Sequence, residues 1–358
     1  MSIITSLAPE KESLPDFTAG ERKNPVIDWY RTPIPKEELK ALHNRSDLLG
    51  AIQTLGYLGI LGLMGGLAVY SSMYGPLWAT LVLTYGYGMV LSFAINGVHE
   101  LGHGTVFKTK WLNVFFCHVL AFLGWINHEM FQTSHTRHHR YTLHPPDDLE
   151  VVLPIRLMLK HFLLNSFIHF RAIWGGLKDP ARIACGRFKG DWELTLYPES
   201  EPEKRAVPIR WARILLGGHA LIAVAGFYFG LWIVPVLFVL PPFYGGWLFF
   251  LCNNTQHVGM LDNVPDFRLS CRTFTLNPVF RFLYWQMNYH TEHHMYAAVP
   301  CYHLDKLHRL IRHDLPYCPN GLVEVWREIA DIQGKQEKDP TCQHTPVFPP
   351  TAAPARFE

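Results

Sequence analysis

The chain lacks the marks of a secreted, nucleic-acid-binding or thiolate-metal protein. Its seven cysteines, Cys117, Cys185, Cys252, Cys271, Cys301, Cys318 and Cys342, are isolated, odd in number and form no C-x-x-C pair. That pattern excludes a disulfide framework and a thiolate zinc site and predicts reduced, mostly buried thiols. Residues 1–16 lack the basic start and apolar core of a cleaved signal peptide, so the amino terminus is expected to stay on the synthesis side. The 32 basic and 30 acidic residues nearly balance. No basic stripe interleaved with aromatics occurs, and nucleic acid is not expected as a partner. A Gly-rich dinucleotide fingerprint is missing as well.

Charge is also missing from long stretches. Residues 48–70 and 75–97 are two uncharged runs of 23 residues each, about what a helix needs to cross ~30 Å of hydrocarbon. Only Ser71-Ser-Met-Tyr74 separates them, which predicts a helical hairpin. Residues 111–126 are apolar but only 16 long and carry Asn113 and His118, so a re-entrant or interfacial piece is expected. Between Val151 and Leu177, Arg156, Lys160, Asn165 and His169 recur roughly every fourth residue, as in a helix lying on the membrane surface. Residues 178–210 read as a loop or small cap. Residues 215–252 are apolar for 38 residues, broken by His219, Pro235 and Pro241-Pro242, and predict a second hairpin turning near Gly230–Pro235. Lys and Arg are rich in the amino-terminal segment, in the 98–213 region and after Arg268, but absent from both inferred turns. The positive-inside rule then puts both termini on the cytoplasmic face. The expected fold is an all-α integral membrane protein: four transmembrane helices in two hairpins with a cytoplasmic helical cap. Residues 1–47 would be a cytoplasmic segment, 48–333 the membrane-embedded domain, and the proline-bearing tail from about Gly334 a disordered extension.

What the chain has in unusual number is histidine at helical spacing. His290, His293 and His294 lie at i, i+3 and i+4, as do His135, His138 and His139. His99 and His103 repeat the i, i+4 step, and Asn253 and His257 do so again after the last apolar run. Residues so spaced emerge from one face of a helix. A single such cluster is ordinarily structural, but four in one chain point to metal. Nine imidazoles exceed the four ligands of one tetrahedral zinc. Two ions with open positions fit the count better, and imidazole suits zinc, copper, iron and nickel alike. Metal-bound histidines usually donate their second ring nitrogen to a carboxylate or carbonyl. Glu100, Asp147, Asp148, Asp262 and Glu292 lie close enough in sequence to serve, a surface charge being the alternative for each.

The set H-x-x-x-H, H-x-x-H-H and H-x-x-H-H, separated by hydrophobic hairpins, resembles the membrane-bound fatty-acid desaturase and hydroxylase superfamily over about residues 48–310. The resemblance implies a non-haem di-iron centre at the cytoplasmic membrane surface, with His99, His103, His135, His138, His139, His257, His290, His293 and His294 as ligands and Asn253 reaching the metal through water. It implies dioxygen as co-substrate and a lipid-like apolar substrate, most simply a fatty acyl chain to be desaturated. The alternative is hydroxylation or ketolation of a lipid, sphingolipid or carotenoid-like molecule. The first box is shorter than in acyl-CoA desaturases, and the third, followed by Val299-Pro300, is more similar to acyl-lipid, sphingolipid and carotenoid branches. No haem-binding cytochrome b5 module is visible, so electrons are expected from a separate ferredoxin or cytochrome b5. A tunnel for the substrate is expected near Trp125, Phe131, Trp247 and Trp285, whose competing role is packing or anchoring at the membrane boundary.

Two other classes compete. His99-Glu100-Leu-Gly-His103 also spells the H-E-x-x-H motif of zinc proteases, which would leave the second and third clusters unused. A metal transporter would carry its site on spanning segments near the midplane, where His219 is the sole histidine and reads better as a packed residue. His118, His128, His144, His161, His169, His303, His308 and His313 read as structural or surface residues, with His128 and His144 close enough to the second box for an outer-shell role.

Overall fold

The computed structural model describes residues 24–166 and 170–357. Among them the regular elements are helices, joined by three isolated bridges and no sheet. The chain opens with α1 (Lys36–Leu42) and α2 (Asp47–Tyr74), the latter capped by the Ser46 hydroxyl, which accepts from Leu49 N. A turn at Gly75-Pro76 sends α3 (Leu77–Leu91) back along α2, and after a break at Ser92-Phe93 the helix resumes as α4 (Ala94–Gly102). The uncharged runs form the expected hairpin because nothing in them competes with helix and each leaves an apolar flank: Leu55, Leu63, Leu67, Leu81 and Val82 are exposed on it. Such an apolar belt on a folded chain is a surface for lipid.

Next come α5 (Lys110–Leu123) and α6 (His128–Tyr141), bent by 111° at a short break. Then follow α7 (Leu159–Ser166), α8 (Phe170–Ala184), α9 (Gly190–Leu196) and α10 (Pro202–Tyr228). The helix expected over 151–177 is not continuous, since residues up to Met158 are irregular; His169 of its polar stripe lies outside the described residues, as does the 1–23 part of the amino-terminal segment. α11 (Ile233–Phe238), a 3-10 turn (Pro241–Phe243) and α12 (Trp247–Asn253) follow, then α13 (Phe267–Ser270), α14 (Pro278–Leu283), α15 (His290–Met295), α16 (Leu304–Ile311) and α17 (Gly321–Gln336).

Three helices among the described residues are long and apolar enough to cross a membrane: Asp47–Tyr74, Leu77–Gly102 and Pro202–Tyr228. The α5–α6 pair would be a fourth only if read as one span. The second hairpin therefore differs from expectation. Its first arm starts earlier, at Pro202, and its return arm is broken into α11, the 3-10 turn and α12. Pro235 falls in the first turn of α11 and Pro241-Pro242 open the 3-10 turn; lacking an N–H and crowding the preceding turn, they disfavour one continuous helix over this arm. The break packs inside the bundle, with α11 against α2, α3 and α10, and buried protein contacts are what make an interrupted backbone tolerable at that depth.

The tail also departs from expectation. α17 continues to Gln336, and the chain beyond it lies on the body rather than leaving it. His344 N donates to Gly259 O (2.7 Å), Tyr317 N to Val347 O (2.8 Å) and Ala353 N to Asp314 Oδ1 (2.7 Å). The buried Arg268 guanidinium, paired with Asp266 and Asp314, also donates to the carbonyls of Ala353 and Pro354. Composition alone gave no sign of that docking, which depends on a cation supplied some 85 residues earlier in the chain.

Candidate metal centre

Each histidine cluster reaches the site because its helix ends there. α4 carries His99 on its last turn and His103 at its C-cap, α6 presents His135, His138 and His139, and the turn after α12 presents His257. The short helix α15, six residues long, carries His290, His293 and His294. The 111° bend matters here: α5 leaves the end of the bundle where α4 finished, and α6 brings the second cluster back to it. The His99 and His135 ring centroids are 4.3 Å apart, which a straight crossing of 110–141 would forbid.

All nine histidines come together, but not box by box. His99, His103, His135, His139 and His293 form one group; His138, His257, His290 and His294 form another, with ligand-capable atoms in each group within 4.8 Å of one another. Helical geometry explains the split. Residues i and i+4 lie about 40° apart around the axis, so His135 and His139 share one group, while i+3 lies on the other flank and turns His138 toward the second. In the same way α15 gives His293 to one group and His290 and His294 to the other. The His139 and His294 rings stack at 4.3 Å where the groups adjoin.

The second group shows what these nitrogens are prepared for. His138 Nδ1 donates to Asp148 Oδ2 (2.7 Å) and His257 Nδ1 to the Ser270 carbonyl (2.9 Å). Thr142 Oγ1 donates to His138 O (2.7 Å) and so accepts from His294 Nδ1 (3.1 Å). These partners fix the tautomer of all three rings, leaving a lone pair on each Nε2. Yet His290 Nε2 sits 2.9 Å from His257 Nε2 and 3.1 Å from His294 Nε2. The His257 and His294 lone pairs both point at a ring whose Nδ1 has no partner, an arrangement that a shared cation would satisfy. Two imidazole donors at right angles on a metal, each about 2.1 Å away, would be about 3.0 Å apart. Burial pushes His257 down to about 3, aided by His138, and holds His290 and His294 well below the ordinary imidazole range, so these three rings are neutral and ready to ligate at pH 7; for His138 the Asp148 carboxylate outweighs burial and raises the pKa.

The first group is alike. His99 Nδ1 faces Glu100 Oε1 (2.8 Å), His135 Nδ1 faces Glu150 Oε1 (2.9 Å), and His293 Nε2 lies 3.1 Å from His139 Nε2. His103 Nε2 and His135 Nε2 are buried without a protein partner. Buried polar atoms are ordinarily satisfied, and a set of orphaned nitrogens facing one another fits a bound metal.

Of the acids singled out by sequence, Glu100 and Asp148 face metal-group histidines and the other three do not. Asp147 pairs with Arg137 (2.9 Å), Asp262 accepts from Gln343 Nε2 (2.9 Å), and Glu292 turns to the Thr273 hydroxyl and His308. The positions that sequence reasoning missed are Glu150, Thr142 and the Ser270 carbonyl. Glu150 follows Asp147-Asp148 in one acidic run, a signal that was available; a hydroxyl and a carbonyl carry none. His128 packs with His118 and Trp211, and His144 bonds the Thr142 carbonyl, so neither touches the two groups. His99 and His103 share their group with His135, His139 and His293, which a zinc protease built on the first motif alone would leave unused.

A cavity of about 110 Å³ opens between the groups. His99 and His135 of one group and His138, His257 and His290 of the other stand on its wall, together with Asn253. Phe131 also lines it, whereas Trp125 stacks on His219, Trp285 packs in the core against Tyr57, and Trp247 leans on that core.

A sequence model of one family, described as Fatty acid desaturase, matches residues 76–326 and so spans α3 through the start of α17. No individual curated protein matches the chain.

Proposed function

Because the chain belongs to the fatty acid desaturase family, we propose that it removes two hydrogens from a lipid acyl chain at a pair of irons, using dioxygen and electrons from a separate protein. The observation that carries this is the gathering of nine histidines into two adjoining groups beside one cavity. His99, His103, His135, His139 and His293 would hold one ion; His138, His257, His290 and His294 the other, and Asn253, on the cavity wall, would reach it through water. A bound iron pair supplies the reduction of dioxygen and the oxidising power to break an unactivated C–H bond. The protein's own part is placement. Asp148, Glu150, Glu100, Thr142 and the Ser270 carbonyl orient the rings, and Phe131 with its apolar neighbours keeps the cavity dry. The balance for desaturation is one dioxygen, two electrons and two protons consumed per double bond, with two waters released.

In this reading the protein lies in the membrane with four crossings, the return arm of the second hairpin being the interrupted α11–α12 segment. The metal centre and both termini face the cytoplasm, and a ferredoxin or cytochrome b5 docks there to deliver electrons. The positive-inside distribution of Lys and Arg supports that orientation. Lipids from cells expressing the protein, compared by mass spectrometry with lipids from cells expressing His293→Ala, test the reading. Loss of two hydrogens in the wild-type sample alone is expected, with about two irons per purified wild-type chain, as two coordination groups require. Gain of one oxygen would assign a hydroxylase of the same family. Identical lipid profiles would reject the oxidative role.

A further inference from the structure

The cavity has two unlike sides. One carries the histidine groups and rests on the main core. The other is supplied by Leu149, Glu150 and Val151 and by Trp192 of α9, with Leu149 packed on the cap core. α9 and its surroundings have a small core of their own, in which Trp192, Leu196, Tyr197 and Ile183 close on Met130 of α6 and Ala212 of α10. This cap is fastened by polar links: Arg182 grips Glu193 through Nη1 and Nη2 (2.7 Å each), and Tyr197 OH donates to Glu129 O and bonds Thr133 Oγ1 of α6 (2.9 Å each). Trp192 stands at the junction, belonging to the cap core and to the cavity wall at once.

Its indole is also tied to the metal centre. Trp192 Nε1 donates to Ser134 Oγ (3.0 Å), Ser134 Oγ donates to Glu150 Oε2 (2.5 Å), and Glu150 Oε1 accepts from His135 Nδ1 (2.9 Å). Every member of this thread lines the cavity. A buried indole N–H ordinarily finds a partner; here that partner, through Glu150, fixes the ring edge relative to one particular histidine.

We propose that Trp192 sets substrate specificity by limiting how deep a chain enters the cavity, and that Ser134 and Glu150 are positioning residues holding that wall in register with His135. The proposal rests on the lipid-oxidising reading above. Which carbon faces the histidines is then decided by the cap rather than by the membrane helices. Bond-making geometry tolerates little error, since a misplacement of about 1 Å can cost about 100-fold in rate, so a wall anchored to a metal-holding side chain is an economical depth gauge.

The test uses the full chain expressed in cells, with double-bond or hydroxyl position in the extracted lipids located by mass spectrometry of derivatives and iron measured on purified protein. Trp192→Ala should keep iron and yield additional positional isomers or longer-chain products, because the wall has been removed. Ser134→Ala should keep the wild-type isomer and lower kcat by roughly 10-fold, the scale of outer-shell losses, with KM little changed. Trp192→Leu, which refills the cap core without the indole, takes the same measurement if the alanine variant does not accumulate. A wild-type isomer pattern in an iron-loaded Trp192→Ala or Trp192→Leu protein overturns the proposal. So does loss of iron in both, which would make Trp192 scaffolding. Absence of product from the wild type as well would count instead against the oxidative reading.

Discussion

Asp148→Asn is the substitution for which the structure gives the sharpest expectation. The carboxylate is fully buried and each oxygen is committed: Oδ2 accepts from His138 Nδ1 (2.7 Å) and Leu143 N (2.9 Å), and Oδ1 accepts from Glu150 N (2.9 Å). Burial alone would raise its pKa, but His138 and the two backbone N–H groups more than reverse that, and the group titrates below the usual carboxylate range. An asparagine has the same shape and one acceptor too few. With its oxygen toward His138 and Leu143, its NH2 faces the Glu150 N–H; turned over, it faces two donors instead. The better orientation still leaves a buried donor unpaired, a cost of about 1–3 kcal/mol. It also replaces a charge-assisted bond to His138 by a neutral one, for which losses of about 10–100-fold in metal affinity are usual. Iron per chain after dialysis against a chelator, with thermal unfolding in detergent, measures both. Asp262→Asn is the control, because Asp262 bonds only the tail residue Gln343 and the change should fall within about 0.5 kcal/mol. Full iron retention and an unshifted melting temperature in Asp148→Asn would refute the argument that this acid holds His138 in place.

Three further outcomes follow from the same geometry. With metal removed, His257 (about 3), His290 and His294 stay neutral where a free imidazole of pKa 6.5 would take a proton. The unfolded chain then binds more protons than the folded one, so stability is complete above pH 6.5 and is lost as pH falls from 6.5 toward 3; a melting temperature of the iron-stripped protein that stays level or rises across that window would contradict this. Gly245→Ala should cost roughly 2–5 kcal/mol, because φ is +75° and the new Cβ would lie 2.6 Å from Met89 N and 2.8 Å from Tyr85 O; normal accumulation and melting would show that the interrupted return arm does not pack on α3 as described. Deleting residues 343–358 takes two carbonyl acceptors from Arg268 and a donor from Asp314, and should lower stability by about 1–3 kcal/mol. Unchanged denaturation of the truncated protein would mean the tail is a passive extension.

Much of the fold could be read before any coordinates because its causes are local. An uncharged run of 23 residues is a helix in lipid whatever surrounds it, and histidines at i and i+4 share a face wherever the helix lies. The first hairpin and the histidine-bearing ends of α4, α6 and α15 are legible for that reason.

What tertiary structure alone decided is how those local pieces face one another. Spacing identifies the boxes but not that His135 and His139 part from His138, or His293 from His290 and His294, since the partition depends on where α4, α6 and α15 cross. Of five nearby acids, only Glu100 and Asp148 face the rings, and Glu150, Thr142 and the Ser270 carbonyl join them, because an outer partner is chosen by direction in space rather than by distance along the chain. The docked tail and the Trp192 wall have the same origin. Each is a contact between residues tens of positions apart, and no window of sequence contains both halves of it.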